Sequence, residues 1–347
     1  MTLQEASLNL TEAEYRQYPC LSYSNLQQFD RNGYECLDTL FDPFTTPSLV
    51  FGSLVDCLLT QGNEAFNESY AIMDVALPPE SVMNIVSQLC ESHTEKQFAL
   101  ISDDDIVLAA DSYEYQKNWK DATRVSKIRD LGSAYYNFMK ANDGKTLVSK
   151  QDVEDAQKAA NLLRSDPATG WYFSHLPFED TERLYQLQFT TVDSVTGIEY
   201  KGMLDLVIVD HKNKRIYPCD LKTTKSIYTF EDSFYKYRYY LQAAMYTELL
   251  RKVIADKCPE LADYTIEPYR FIVISRSNFK PVVFEWNQLL DIEGYTDPQG
   301  KTLSNWRDLL IQLHWALDNK ETQLPKPWSE SMRKDGFIRI KRYPTNV

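Results

Sequence analysis

The chain has 347 residues, 43% of them hydrophobic and 25% charged, a balance that suits a globular protein with a sizeable core in one large domain or two closely packed lobes. No run reaches the roughly 18 uncharged apolar residues of a membrane span, and the opening MTLQEASLNL lacks a basic stretch followed by an apolar one, so a cytoplasmic protein with no membrane partner is expected. The net charge of −13 runs against phosphate binding by bulk charge, although the local field of a cleft matters more than the total.

The first 165 residues read as helical. Thr11 with Glu14 forms a capping-box pattern, Ser24 is placed to cap the stretch NLQQFDR, and Leu49 to Thr60 gives an apolar helix stopped near Gly62. Further helices are predicted around 80–98, 103–119 and 151–164. From about Tyr185 the pattern turns strand-like: YQLQFTTV, a turn at Asp193 to Gly197, IEYKGMLDLVIV, a polar turn at DHKNK, then RIYPCDLKTT. These segments predict an antiparallel meander. A long helix from Tyr237 to Ile254 follows, then a second β region with YRFIVIS and PVVFEW, and a last helix from Trp306 to Leu317. Residues 331 to 347 carry five basic side chains (Arg333, Lys334, Arg339, Lys341, Arg342) against Asp335 alone, which fits a solvated terminus or a segment tracking DNA. The six cysteines are scattered without a CxxC pair, so no zinc site, disulfide framework or iron–sulfur cluster is indicated.

The chemistry gathers in the meander. Asp220 and Lys222 lie two residues apart on a strand and so share a face. Asp205 comes from the preceding strand, and a hairpin turning at His211 to Lys214 would bring it alongside. Two converging carboxylates can hold Mg²⁺, a hard ion that takes oxygen ligands, and a neighbouring ammonium can orient or help deprotonate a water. The tripeptide acid-x-Lys occurs five times, at Asp143/Lys145, Glu199/Lys201, Asp210/Lys212, Asp220/Lys222 and Asp318/Lys320, so it carries no information by itself. Only the copy at Asp220 ends an apolar strand next to a second strand bearing an Asp. A structural salt bridge at a strand end is the competing reading.

The segment from Gly202 to Tyr246, with a Gly ahead of Asp205, the DLKTT strand and the helix pattern Tyr239, Gln242, Tyr246, resembles the RecE-like (exonuclease VIII) branch of the PD-(D/E)XK nucleases, typical of phages and prophages. Near the N-terminus, LSYSNLQQFDRNGYECLDTLFD and TPSLVFGSLVDCLL resemble the same family's opening. The resemblance implies an α/β fold, a central mixed β-sheet flanked by helices with a helical N-terminal lobe over 1–165 that contributes to the active site, a nuclease core over 166–290, and a C-terminal helix with a basic tail over 291–347. It implies Asp205, Asp220 and Lys222 as the catalytic centre, with Gln242 and Tyr246 facing it from the helix. Where the family's Phe-Gly-Ser helix usually carries a metal-binding His four residues after the Gly, this chain has Asp56, so the implied metal ligands are Asp56, Asp205 and Asp220. The family's remaining acid falls on Glu179, Glu182 or the neutral Gln186, with Glu182 favoured. The four histidines, His93, His175, His211 and His314, do not cluster.

By resemblance the expected activity is Mg²⁺-dependent hydrolysis of double-stranded DNA from an end, Mn²⁺ being a possible substitute, with a phage single-strand annealing protein as partner and a homo-oligomer as the assembly. Two other readings stay open at this level: a degenerate module that holds DNA or protein without cutting, and an endonuclease for structured sites.

Overall fold

The computed structural model describes residues 1–42, 44–174, 180–286 and 296–340. Two compact units are present, one formed by Met1–Thr46 with Ala159–Val347 and one by Pro47–Lys158.

The sheet-bearing unit opens with α1 (Leu3–Ala6) and α2 (Glu12–Gln17), each started by a capping box, Thr2 with Glu5 and Thr11 with Glu14. A short strand β1 (Leu21–Ser22) leads into α3 (Tyr23–Asn32). Ser22 rather than Ser24 stands at the start of α3. The reason is local: the Asn25 carboxamide oxygen reaches back to accept from the Ser22 N–H at 3.0 Å and from its hydroxyl at 2.8 Å.

In the second unit, α4 (Pro47–Asp56) widens into a single π turn over Cys57–Gln61 and ends at Gly62, whose φ of 87° only glycine adopts without strain. Then follow α5 (Asn63–Ser69), β2 (Tyr70–Met73), α6 (Glu80–Ser92), α7 (Asp103–Ser112), α8 (Asp121–Ala141) and β3 (Thr146–Ser149), with β2 and β3 paired in parallel. The helix α9 (Lys150–Ser165) contains the division between the units. The core of this unit is built from Val82, Ile85, Val86 and Leu89 of α6, Ile106, Ala109 and Ala110 of α7, and Val125, Ile128, Tyr135 and Tyr136 of α8. The last helix was not expected, although its apolar residues recur at three- and four-residue intervals.

After α10 (Gly170–Phe173) come β4 (Thr181–Val192), β5 (Glu199–Asp210), β6 (Arg215–Thr224), α11 (Phe230–Lys236), α12 (Tyr239–Lys257), β7 (Thr265–Ile266), β8 (Tyr269–Ser275), β9 (Pro281–Trp286), α13 (Trp306–Asp318) and α14 (Lys326–Asp335). The seven-stranded sheet runs β1-β5-β6-β8-β9, with β4 on the other edge of β5 and β7 beside the start of β6. β4, β5 and β6 form the expected antiparallel meander, β6 and β8 are parallel, and β8 and β9 antiparallel. The sheet is therefore mixed, as expected. The parallel step requires a crossover, supplied by α12. Nearly the whole circumference of α12 is buried, from Tyr240 to Ile254, so the helix lies inside the core. Residues 1–46 cluster with the sheet instead of with the remaining helices, because β1 adds to the edge of β5 and α1 packs on β4 and α12. No helix among the described residues is long and apolar enough to cross a membrane. All six cysteines are free and five are buried.

Candidate active site

One edge of β5 carries β4 along its length, while the other changes partner: it pairs with β6 over Leu206–Asp210 and with β1 at Tyr200 and Lys201. Between these two stretches the strands fork, and Asp205 stands at the fork. Its carboxylate accepts the backbone N–H of Leu221 at 3.0 Å, taking the place of a ladder partner just past the last pair, Leu206 with Cys219. The same row is distorted on the far side. Gln186 falls opposite Asp205 in the β4–β5 register and has φ of 52°, and Leu184 and Leu187 on either side of it both pack on one core. The strand is kinked there without an inserted residue, since the register is the same on both sides.

The neighbouring row of β6 supplies the second carboxylate. Asp220 is 1% exposed and is held from two directions: the Gln242 amide of α12 donates to Oδ1 at 2.5 Å, and the Lys222 ammonium lies 2.6 Å from Oδ2. That second contact is an ion contact off the line of a hydrogen bond, since Oδ2 accepts none. The Lys222 ammonium also sits 4.7 Å from the centroid of the Tyr239 ring. Burial opposes the charged form of Lys222, but Asp220, Tyr239 and Asp205 outweigh it and raise the pKa above the ordinary lysine value. Its anionic neighbours thus favour the charged form of Lys222, which suits it to orient and neutralise.

One turn on from Gln242, Tyr246 is buried against β5 at Gly202. A Cβ on Gly202 would stand 2.8 Å from the Tyr246 ring and 2.6 Å from Leu249, so the glycine sets how closely the helix approaches the strand. Burial first, then Tyr15 and the carboxylates of Asp220 and Asp205, push the Tyr246 hydroxyl far above its usual range and keep it a neutral donor. Tyr23 packs edge-on to Tyr246 with centroids 6.4 Å apart and donates to the Tyr237 carbonyl at 2.6 Å.

The structure thus brings together Asp205, Asp220, Lys222, Gln242 and Tyr246. Glu182 is not with them: it lies four residues along β4 from the Asp205 row, half exposed, with His211 at 3.6 Å. Glu179 lies outside the described residues, as do His175, Lys341 and Arg342. Asp56 is the half-buried last residue of α4 in the helical unit, its carbonyl accepting from Thr60 at 2.9 Å. His93, His211 and His314 each pair with a separate acid, Asp105, Glu182 and Asp318. Tyr23 and Tyr269, which the sequence reading passed over, stand on α3 and β8, next to the elements that carry the site. Tyr269 alternates with Phe271 and Val273 along YRFIVIS, which marks its face but not its hydroxyl.

The donor set suits a hard divalent cation: two carboxylates at adjoining strand rows and the Gln242 Oε1, a buried oxygen with no hydrogen-bond partner among the described residues. No group of three or more His, Cys, Asp or Glu side chains gathers into a metal site among the described residues.

Acid and acid-x-Lys on neighbouring strands of a mixed sheet, with a buried crossover helix bearing Gln and Tyr above them, define a PD-(D/E)XK-like α/β domain with a nuclease-type fold. The chain matches the family model described as a PDDEXK-like domain of unknown function (DUF3799) over residues 22–266 and belongs to that family. No curated protein matches it.

Proposed function

We propose that this protein is a divalent-metal-dependent deoxyribonuclease, and that its substrate is double-stranded DNA degraded from an end, as its resemblance to the RecE-like branch of phage recombination suggests. The observation that carries the reading is the fork itself: Asp205 and Asp220 at adjoining positions, with a cationic Lys222 against Asp220. Asp205, Asp220 and Gln242 would hold Mg²⁺ or Mn²⁺. Such an ion supplies an activated water and a counter-charge for the phosphoryl oxygens. Lys222, protonated throughout the neutral range, positions that water or a phosphoryl oxygen and offsets developing negative charge. Gln242 fixes the Asp220 carboxylate, and the Tyr246 ring seals the site from the core side. Asp56 enters the reading through the resemblance alone, as a third ligand; a higher metal requirement in Asp56→Ala would support it, and a superimposable titration would remove it.

The near-complete burial of Asp220 favours one competitor, a module that binds DNA without cutting. Incubating the protein with end-labelled linear and closed circular DNA, with Mg²⁺, Mn²⁺ or chelator, separates the cases. Ion-dependent loss of linear DNA alone is the expected result. Cutting of circles identifies an endonuclease, retained DNA without cleavage identifies the module, and neither binding nor cleavage overturns the reading. A phage annealing protein as partner and a ring-like homo-oligomer belong to the same proposal, and sedimentation with and without DNA tests the latter.

A further inference from the structure

Tyr269 opens β8 on the face that packs under α12. The β6–β8 register sets Asp220 beside Phe271, so Tyr269, two residues earlier, lies on the same face, and its ring is 5.2 Å from that of Phe271. The residue is fully buried, yet its hydroxyl has no hydrogen-bond partner among the described residues. Phe271 and Val273 on the same face are purely apolar, and a phenylalanine would fill the Tyr269 position without leaving a polar atom unsatisfied. Buried hydroxyls without partners are rare because the group forfeits its hydrogen bonds to water on burial and recovers nothing. The charges that act on this hydroxyl, after burial itself, are those of Asp220 and Asp205, followed by Tyr246. All of them raise its pKa, so the hydroxyl stays neutral.

We propose that Tyr269 is a positioning residue whose hydrogen-bond partner arrives with the divalent cation, as a water of the ion's hydration between Asp205 and Asp220 that donates to the Tyr269 hydroxyl oxygen. Mg²⁺ and Mn²⁺ keep several waters when bound by a few carboxylates, and the polarised O–H groups of those waters need acceptors behind the ligands. Residues that contact the ligand shell from behind typically contribute 10- to 100-fold to metal affinity. The unsatisfied hydroxyl of the ion-free protein then becomes satisfied on loading, which couples ion binding to the packing of β8 beneath α12.

The inference rests on the metal-dependent reading above, and Tyr269→Phe distinguishes the two. Wild type, Tyr269→Phe and Asp220→Asn are melted in chelator and titrated with Mn²⁺ by isothermal calorimetry. The expected result is a Tyr269→Phe protein that melts at or above the wild-type temperature without ion and binds Mn²⁺ about tenfold or more weakly. A tyrosine with a merely structural hydrogen bond gives the opposite pattern, a lower ion-free melting temperature with unchanged Mn²⁺ affinity, and that outcome overturns the inference. Equal affinity with equal melting overturns it as well, while leaving the metal reading standing. No Mn²⁺ binding by wild type would sink both.

Discussion

Two lysines of the sheet, Lys201 and Lys222, sit in the same short pattern, an acid two residues before the lysine; Lys201 is buried and Lys222 partly so. Their surroundings give them different work. Lys201, near the start of β5, points its ammonium at the end of α2, donating to the carbonyls of Tyr15 at 2.6 Å, Tyr18 at 2.8 Å and Arg16 at 3.3 Å. It satisfies the exposed carbonyls at a helix C-terminus and ties the N-terminal segment to the sheet. Burial lowers its pKa, and only the Cys20 thiol opposes that. Lys222, near the end of β6, meets a carboxylate instead, and the surrounding negative charge raises its pKa. A buried cation is therefore not in itself a catalytic signal. What distinguishes Lys222 is an anionic partner at a fork, where the sheet's own hydrogen bonds have run out.

If this contrast is right, the two lysines separate activity from stability. Asp220→Asn and Lys222→Ala should each lower cleavage by at least ~10²-fold while circular dichroism still reports a folded protein. Near wild-type turnover in either folded variant would break the assignment. Lys201→Met should do the reverse: denaturant melts should lose at least about 2 kcal/mol, since three carbonyls lose a charged donor, with turnover of the folded fraction nearly unchanged. A comparable loss of turnover would mean that Lys201 also serves the site.

A smaller effect is expected at Gly202, where structure and site meet. Gly202→Ala forces the Tyr246 ring and Leu249 away, at about 1.5 kcal/mol of overpacking, and should reduce cleavage more than a surface alanine of equal stability cost. An unchanged melt and turnover would show that α12 has room to shift. The smallest effect is a null one. Because the folded pKa of Lys222 is raised, its ionic contribution is complete below the unfolded value of about 10.4 and is lost only as pH rises through the higher folded value. The pH–rate profile between about pH 7 and 9 should therefore show no limb that Lys222→Arg removes. A limb in that range abolished by the arginine would make Lys222 a titrating base.

Much of the sheet was legible because strand alternation and turn residues are local. The meander, the two later strands and the apolar core helix followed from spacing alone, and so did the pairing of Asp205 with Asp220, since a tight hairpin fixes which rows lie side by side. Boundaries moved where a side chain intervened, as at Ser22 and Asn25, or where the backbone turned, as at the left-handed Arg238, which starts the expected helix at Tyr239 and sets it apart from the short helix α11 that was not expected. The helix α8 was missed even though its periodicity is present. Its mid-helix Gly132, which weakens any helical reading, is explained only by contact: a Cβ there would lie 2.6 Å from Val86.

By itself the sequence implied the mixed α/β class through its family resemblance, and it placed Asp205, Asp220, Lys222, Gln242 and Tyr246 on the strands and helix where they stand, because those elements are marked by short-range periodicity. It preferred Lys222 to Lys201 by context and favoured Glu182, but it could not show the carbonyls around Lys201, the distance of Glu182 along β4 from the Asp205 row, or the buried hydroxyl of Tyr269. Those outcomes depend on which strand edge changes partner and which polar atoms the packing leaves buried. Partner exchange along β5 joins residues about 180 positions apart, and no local pattern encodes a contact of that range.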